Sequence, residues 1–230
     1  MAFCIDCHGK TTREINRLIR EAVATGEREI HVLHPEARHN LGVALLQPVR
    51  LIFEGSVGYY CAGMIDGATI EIRGSAGWGT AESMLNGTVL IDGNAGSGVA
   101  ASIRGGTVVV RGDAAARAGV SMKGGALLIG GNCGYMAGFM MQKGKIIICG
   151  DAGDALADSM YEGVLFVGGK IASLGNDAAI EDPSSEDLSW LHDLLHQYNL
   201  SSAPTFKKVV SGKKLWNFDR KEREVWKAAL

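Results

Sequence analysis

The chain has 230 residues, of which 47% are hydrophobic, and a formal net charge of −2. That length allows a sizeable core, and the near-neutral charge gives no electrostatic reason to expect nucleic-acid binding. No apolar run approaches the ~20 residues of a membrane span, the N-terminus lacks a basic-then-apolar leader, and the five cysteines are scattered, so we expect a cytoplasmic, membrane-free protein with reduced thiols.

Residues 1–35 are expected to form a helix and a strand. Near their start, Cys4-Ile5-Asp6-Cys7-His8 has the spacing of haem attachment or of half a zinc or iron–sulfur site. Haem attachment needs export, and a metal site of this kind needs a second cysteine pair, so structural thiols are the third and simplest interpretation. We therefore assign no metal or cofactor ligand here.

An amphipathic helix follows, capped by Thr11 or Thr12 and ended by Gly26, and Glu29–Leu33 alternates as a strand. Three histidines lie close together in the sequence at the entry to the next region. They fit a polar turn or a contact with a partner: His31, His34 and His39.

A glycine then returns every nineteen residues. The series is Gly55, Gly74, Gly93, Gly112, Gly131, Gly150 and Gly169. In the first six repeats this lead glycine is followed by Ser, Asn or Asp and then by a small apolar residue. Counted from the lead glycine, positions fifteen and seventeen are aliphatic in all six complete repeats, which indicates a strand with one buried face.

One strand and two short corners in nineteen residues favour a coil of a parallel β-helix over a leucine-rich repeat. We predict an all-β protein with about seven 19-residue coils over residues 36–175, and a helix at each end. Glycine strings such as Gly93–Gly98 then become corners of the coil. A phosphate loop is disfavoured because a strand, and no helix, follows each string.

Two surfaces of this coil are candidate interfaces. Position sixteen faces outward yet is apolar in five successive repeats, so it needs a cover, either the chain's own helices or another protein: Leu90, Val109, Leu128, Ile147 and Phe166. The aromatic and methionine residues of Gly58–Met64, Trp78 and Gly134–Met141 lie on the opposite arc, where they form a second contact surface or lie under the chain's own tail. Tyr59, Tyr60 and Tyr135 are the candidate interface residues of this arc.

Residues 176–230 are expected to hold a helix starting at Pro183-Ser184 and a tail, Phe206–Phe218, without a clear period. His192 and His196 lie four apart on that helix, where they fit a solvated face or a zinc pair. No Ser/His/Asp grouping or recurring carboxylate pair shares a column, and Cys4 lies too far from the N-terminus to be a terminal nucleophile, so we assign no catalytic residue.

The strings Phe53–Tyr60, Gly74–Gly79, Arg104–Gly112 and Met136–Met140 resemble the glycine-repeat (GXGXG) C-terminal domain of the glutamate synthase large subunit. The whole chain resembles the stand-alone form of that domain found in N-methylglutamate synthase and related complexes. The resemblance implies a right-handed β-helix without catalytic residues. It would join a class II glutamine amidotransferase-like subunit to an FMN-binding synthase subunit in a hetero-oligomer, and support transfer of ammonia or methylamine.

By the same resemblance, FMN and an iron–sulfur cluster are expected on a partner subunit and none on this chain. Two alternatives stay open. The glycine repeat is also similar to the C subunit of formylmethanofuran dehydrogenase, and the chain could be a free-standing binding scaffold.

Overall fold

The computed structural model describes residues 3–201 and 203–214. Its elements, in chain order, are β1 (Phe3–Asp6), α1 (Thr12–Ala24), β2 (Glu29–Leu33), β3 (Arg50–Glu54), β4 (Thr69–Ile72), β5 (Thr88–Ile91), β6 (Thr107–Val110), β7 (Lys123–Ile129), β8 (Lys143–Ile148), β9 (Gly163–Val167), β10 (Ala178–Glu181), α2 (Ser185–Gln197) and β11 (Lys207–Ser211). The predicted fold class is confirmed: a parallel β-helix of about seven turns with a helix near each end. Within the described ranges, no helix has the length and apolarity to cross a bilayer.

One sheet runs the length of the rod. Strands β1 to β9 pair in parallel in sequence order, and β11 and β10 then close the sheet as antiparallel strands. The register is one repeat per coil: Ile70 pairs with Val89, and Val89 pairs with Val108. The predicted strand at Glu29–Leu33 is β2, whereas β1 was not predicted from the sequence.

The interior consists of columns that follow the repeat. Positions fifteen and seventeen are buried in every complete repeat, as in Ile70 and Ile72 or Leu165 and Val167. Position ten adds a third buried column: Ile65, Met84, Ile103, Met122, Met141 and Met160. Because successive strands lie only ~4.8 Å apart, equivalent side chains from neighbouring coils stack in contact and bury one another.

A ladder of side-chain oxygens explains the residue that follows each lead glycine. The Oδ1 of Asp113 accepts a hydrogen bond from the backbone N–H of Asn132, and Asn132 Oδ1 accepts from the N–H of Asp151 at 2.8 Å. The same bond joins each adjacent pair from Ser56 to Lys170. Each oxygen therefore satisfies a backbone donor of the next coil at a corner.

The same ladder explains the lead glycine itself. A Cβ built on Gly131 would collide with Asp113 Oδ1, and one built on Gly150 would lie 2.5 Å from Asn132 Oδ1. Neither glycine has a positive φ, so the requirement is close approach rather than backbone conformation. The glycine and the oxygen-bearing residue of the preceding coil thus form one structural unit.

Helix α1 covers the first coils. Thr11 caps it in a capping box with Glu14, its buried face includes Ile15 and Ile19, and it ends before Gly26 as predicted. The buried Asn16 fastens the helix to the coil, because its amide nitrogen donates to Asn40 O at 2.7 Å and its oxygen accepts from Gly42 N at 2.9 Å.

The C-terminal segment covers the outward apolar side chains at position sixteen of the repeats, here named the apolar stripe: Leu90, Val109, Leu128, Ile147 and Phe166. Helix α2 begins where the sequence predicted it, with Ser184 as its N-cap. Part of the tail forms strand β11 between β9 and β10, which was not predicted from the sequence. The predicted tail from residue 215 onward, including Trp216, lies outside the described residues.

The interface assignment of this stripe needs correction. Val109, Leu128, Ile147 and Phe166 are at most 1% exposed in a cluster with Leu191 and Leu195 of α2 and with Phe206. Leu90 is half-buried and packs at the edge of the same cluster. The cover is therefore the chain's own segment, the first of the two covers considered, and these side chains are not a surface for another protein.

Candidate interaction surface

A group of large apolar side chains stays exposed on the face of the rod opposite the apolar stripe. It comprises six of the aromatic and methionine residues that the sequence places on this arc, here named the aromatic arc: Tyr59, Tyr60, Met64, Trp78, Tyr135 and Met140. All six are between 40% and 57% exposed. Aromatic and methionine side chains that are left exposed together, rather than singly, are typical of protein-binding surfaces.

The repeat positions these side chains. Tyr59, Trp78 and Tyr135 all occupy the fourth position after a lead glycine, at an outer corner of the coil. The rings of Tyr59 and Trp78 stack with centroids 5.2 Å apart, and His39 extends the stack, 4.4 Å from Tyr59. His39 Nδ1 also accepts a hydrogen bond from the Tyr59 backbone at 2.9 Å. This end of the arc is therefore held in place before any partner binds.

The middle of the aromatic arc carries only small side chains. Between Trp78 and Tyr135 the fourth position carries only Ser97 and Ala116, so two coils of small side chains separate the two aromatic ends. Beside the first end, a depression of about 440 Å³ is lined by Asn40, Val43, Tyr60, Gly63, Met64, Glu82 and Ser83. The surface is mostly apolar there, with one carboxylate at its edge.

The other histidines predicted to cluster are separated by the fold. His31 lies between two carboxylates, with Nδ1 at 2.8 Å from Glu54 and Nε2 at 3.4 Å from Glu29. His34 instead contacts Asp6, while His39 belongs to the aromatic stack. On α2, the rings of His192 and His196 lie 6.4 Å apart on an exposed face.

Burial keeps several of the thiols in the protonated form. It raises the pKa of Cys133 to about 12 and that of Cys149 to about 11, and it raises the pKa of the fully buried Cys61 as well. Cys7 is buried too, and burial raises the pKa of its thiol. Because the thiolate is the nucleophile and the metal ligand, these four thiols are poorly suited to either role.

The spacing of the Cys4–His8 segment suggested a site built on Cys4 and Cys7. The structure instead brings Asp6 and His8 of this segment close to His34. Within the described residues, the group that could hold a metal ion consists of Asp6, His8 and His34, with their ligand atoms all within 4.8 Å of one another, and contains no cysteine. The His8 backbone N–H and then the His34 side chain hold the pKa of Asp6 down at about 2. The sequence missed this group because His34 is distant in the chain and β1 was not predicted.

Comparison with known proteins shows a local similarity in sequence and a similarity in fold over most of the chain. No family model matches the chain. It is 42% identical over 70 residues to protein GlxC of Rhizobium meliloti (strain 1021), a match that covers 30% of this chain and 30% of that protein. The fold is similar to a chain in the structure of the formyltransferase/hydrolase complex (FhcABCD) from Methylorubrum extorquens in complex with methylofuran. That similarity has a TM-score of 0.71 and 24% identity, over 88% of this chain and 87% of the other.

Proposed function

We propose that this chain is a non-catalytic scaffold subunit of a glutamate synthase-like complex of the N-methylglutamate synthase type. It joins a class II glutamine amidotransferase-like subunit to a synthase subunit that carries FMN and an iron–sulfur cluster. The glycine-repeat resemblance of the sequence supports this assignment, and the local identity with protein GlxC is compatible with it.

The observation that carries the proposal is the contrast between the two outer faces of the rod. One apolar face is covered by α2 and the segment that follows it, whereas the aromatic arc on the other face stays exposed. A chain that can cover one apolar stripe with its own segment but leaves a second uncovered is suited to receive a partner there.

The rod also suits the task of holding two subunits in register. Successive coils are joined by parallel strand pairing, by a second line of backbone bridges between Val57 and Ile171, and by the oxygen ladder. A structure cross-linked along three lines resists bending. A stiff spacer of this kind would keep a site that releases ammonia or methylamine at a fixed distance from a site that consumes it.

A second candidate function is a role beside the catalytic subunits of a formylmethanofuran dehydrogenase-type complex. The similarity in fold to a chain of the FhcABCD complex favours it. A free-standing binding scaffold is the third possibility, and it would also use the aromatic arc.

Purification of the affinity-tagged chain from its native cells separates the three. We expect a complex with an amidotransferase-like and a synthase-like subunit, showing flavin absorption and bound iron. Co-purification of formyl-transferring or molybdenum- or tungsten-containing subunits would support the second candidate. A colourless single species would contradict both complexes and leave the free-standing scaffold.

A further inference from the structure

We propose that Asp6, His8 and His34 form a binding site for a divalent transition-metal ion of the zinc type at the first-strand end of the rod. The proposal concerns the isolated chain and does not depend on the scaffold function. It replaces the expectation, drawn from the sequence, that no metal ligand lies in the Cys4–His8 segment.

Strand pairing brings the three residues together. β1 ends at Asp6 and β2 ends at Leu33, and these two residues are partners in the parallel register. His34 directly follows β2 and His8 lies two residues after β1, so both imidazoles emerge at the same edge of the sheet. The ligands are thus anchored by two neighbouring strands, not carried on a single loop.

The distances fit a common ion. Asp6 Oδ1 lies 3.1 Å from His8 Nδ1 and 3.1 Å from His34 Nδ1. Zinc bonds of ~2.0–2.1 Å in tetrahedral geometry place ligand atoms roughly 3.3 Å apart. The two rings stack with centroids 4.2 Å apart, so a modest rotation of the imidazoles would point both nitrogens at an ion beside the carboxylate.

A second carboxylate supports one of the ligands from behind. Glu36 Oε1 lies 3.4 Å from His8 Nε2, the ring nitrogen that faces away from Asp6. Such a carboxylate on the far nitrogen fixes the tautomer and the orientation of a metal-binding histidine. Arg38 holds this arrangement, because it contacts Glu36 at 3.3 Å and donates to the Cys7 carbonyl at 2.8 Å.

The donor set selects the class of ion. Two imidazoles and one carboxylate suit Zn²⁺, Ni²⁺, Cu²⁺ or Fe²⁺, whereas Ca²⁺ and Mg²⁺ prefer oxygen ligands throughout. The three side chains are about half exposed, at 48–58%, so further coordination positions face solvent. Three protein ligands with an open position allow the ion to bind water or a small anionic ligand.

The test is Zn²⁺ titration of the purified full chain by calorimetry, with Co²⁺ absorption to report the coordination geometry. We expect one equivalent bound by the wild type and loss of that equivalent in His34→Asn. Asparagine is chosen because it tolerates the left-handed backbone of His34, whose φ is 55°. Glu36→Gln should keep the site but weaken it by roughly tenfold or more.

His192→Ala is the matched control, because it removes an exposed histidine from the pair on α2 and should leave the bound equivalent in place. Thermal unfolding without metal checks that each variant is folded. Equal Zn²⁺ affinity in the wild type, His34→Asn and a His8→Gln variant would overturn the proposal, as would no binding to the wild type with Zn²⁺ in excess.

Discussion

The ring of Trp190 on α2 lies against that of Phe166 on β9, with their centroids 6.1 Å apart, and Lys145 Nζ lies 3.7 Å from the centroid of the Trp190 ring. This contact joins the C-terminal helix to the last position of the apolar stripe. Because Phe166 is fully buried, the helix is part of the folded rod and not a separate arm. The aromatic arc on the opposite face, in contrast, stays exposed.

Leu128 should therefore matter for stability. Replacing this fully buried side chain with Lys would leave a charge beneath α2, so we expect loss of α2 docking or of the fold. Leu128→Ala should lower the free energy of unfolding by about 2–5 kcal/mol. Urea denaturation measures this change. Leu188→Ala, on the exposed side of α2, should be within ~0.5 kcal/mol of the wild type. Wild-type stability of Leu128→Ala would mean that the stripe is not covered by α2.

Gly131 tests the unit formed by the lead glycine and the ladder. An added methyl group would displace Asp113 Oδ1 and press on the Gly112 carbonyl, so we expect Gly131→Ala to cost ~1–3 kcal/mol in denaturant unfolding. Gly63→Ala is the control, since its Cβ would meet atoms only at 3.5 Å or beyond. Equal stability of the two variants would refute the close-approach explanation.

Substitutions of Asp113 test the acceptor oxygen of the ladder, the partner of the lead glycine Gly131. Asp113→Ala removes the acceptor for the Asn132 N–H and should cost ~1 kcal/mol. Asp113→Asn should be nearly neutral, because asparagine already fills this position at Asn94 and Asn132 with the same bond. Denaturation midpoints compare the three proteins. If Asn were as destabilising as Ala, the acceptor oxygen would not be the relevant group.

Asp187 should make the docking of α2 sensitive to acid. Its carboxylate accepts a hydrogen bond from Lys208 Nζ at 2.8 Å, and this contact lowers the pKa of Asp187 below its ordinary value of 3.8. A depressed folded-state pKa stabilises the fold above the ordinary value, and that contribution is lost as the pH falls through the folded-state pKa.

The matched variant is Asp187→Asn, which retains an oxygen for the Ser184 N–H at the start of α2 but loses the ion pair. We expect the wild type to be the more stable of the two at pH 7, and the difference to shrink below pH ~3.8. Thermal unfolding at a series of pH values measures it. A stability difference independent of pH would rule out the ion pair as its source.

The repeat predicted the interior of the rod because each column is set by local periodicity. Positions ten, fifteen and seventeen are buried in coil after coil, and the corner glycines lie where the period places them. The short strand β1 was missed, because four residues with one buried side chain give little alternation. Without β1, the approach of His8 to His34 could not be foreseen.

The sequence also could not predict which segment covers the apolar stripe. The apolar series ending at Phe166 shows that a cover is needed, but not whether it comes from the same chain. The answer depends on the path of the segment around Phe206, which lies some forty residues later and enters β11 as an antiparallel neighbour of β9. Pairing over that distance leaves no periodic signal.

The most direct test of the scaffold account is native co-purification with Trp78→Arg/Tyr135→Arg, a double variant that places a charge at each end of the aromatic arc. Both side chains are about half exposed, so the variant should fold and unfold like the wild type. The control is Ile180→Arg/Leu188→Arg, which changes two exposed apolar residues outside the arc. The account predicts that the arc variant loses at least one partner subunit while the control keeps all of them. Full recovery of every partner by a folded arc variant would contradict it.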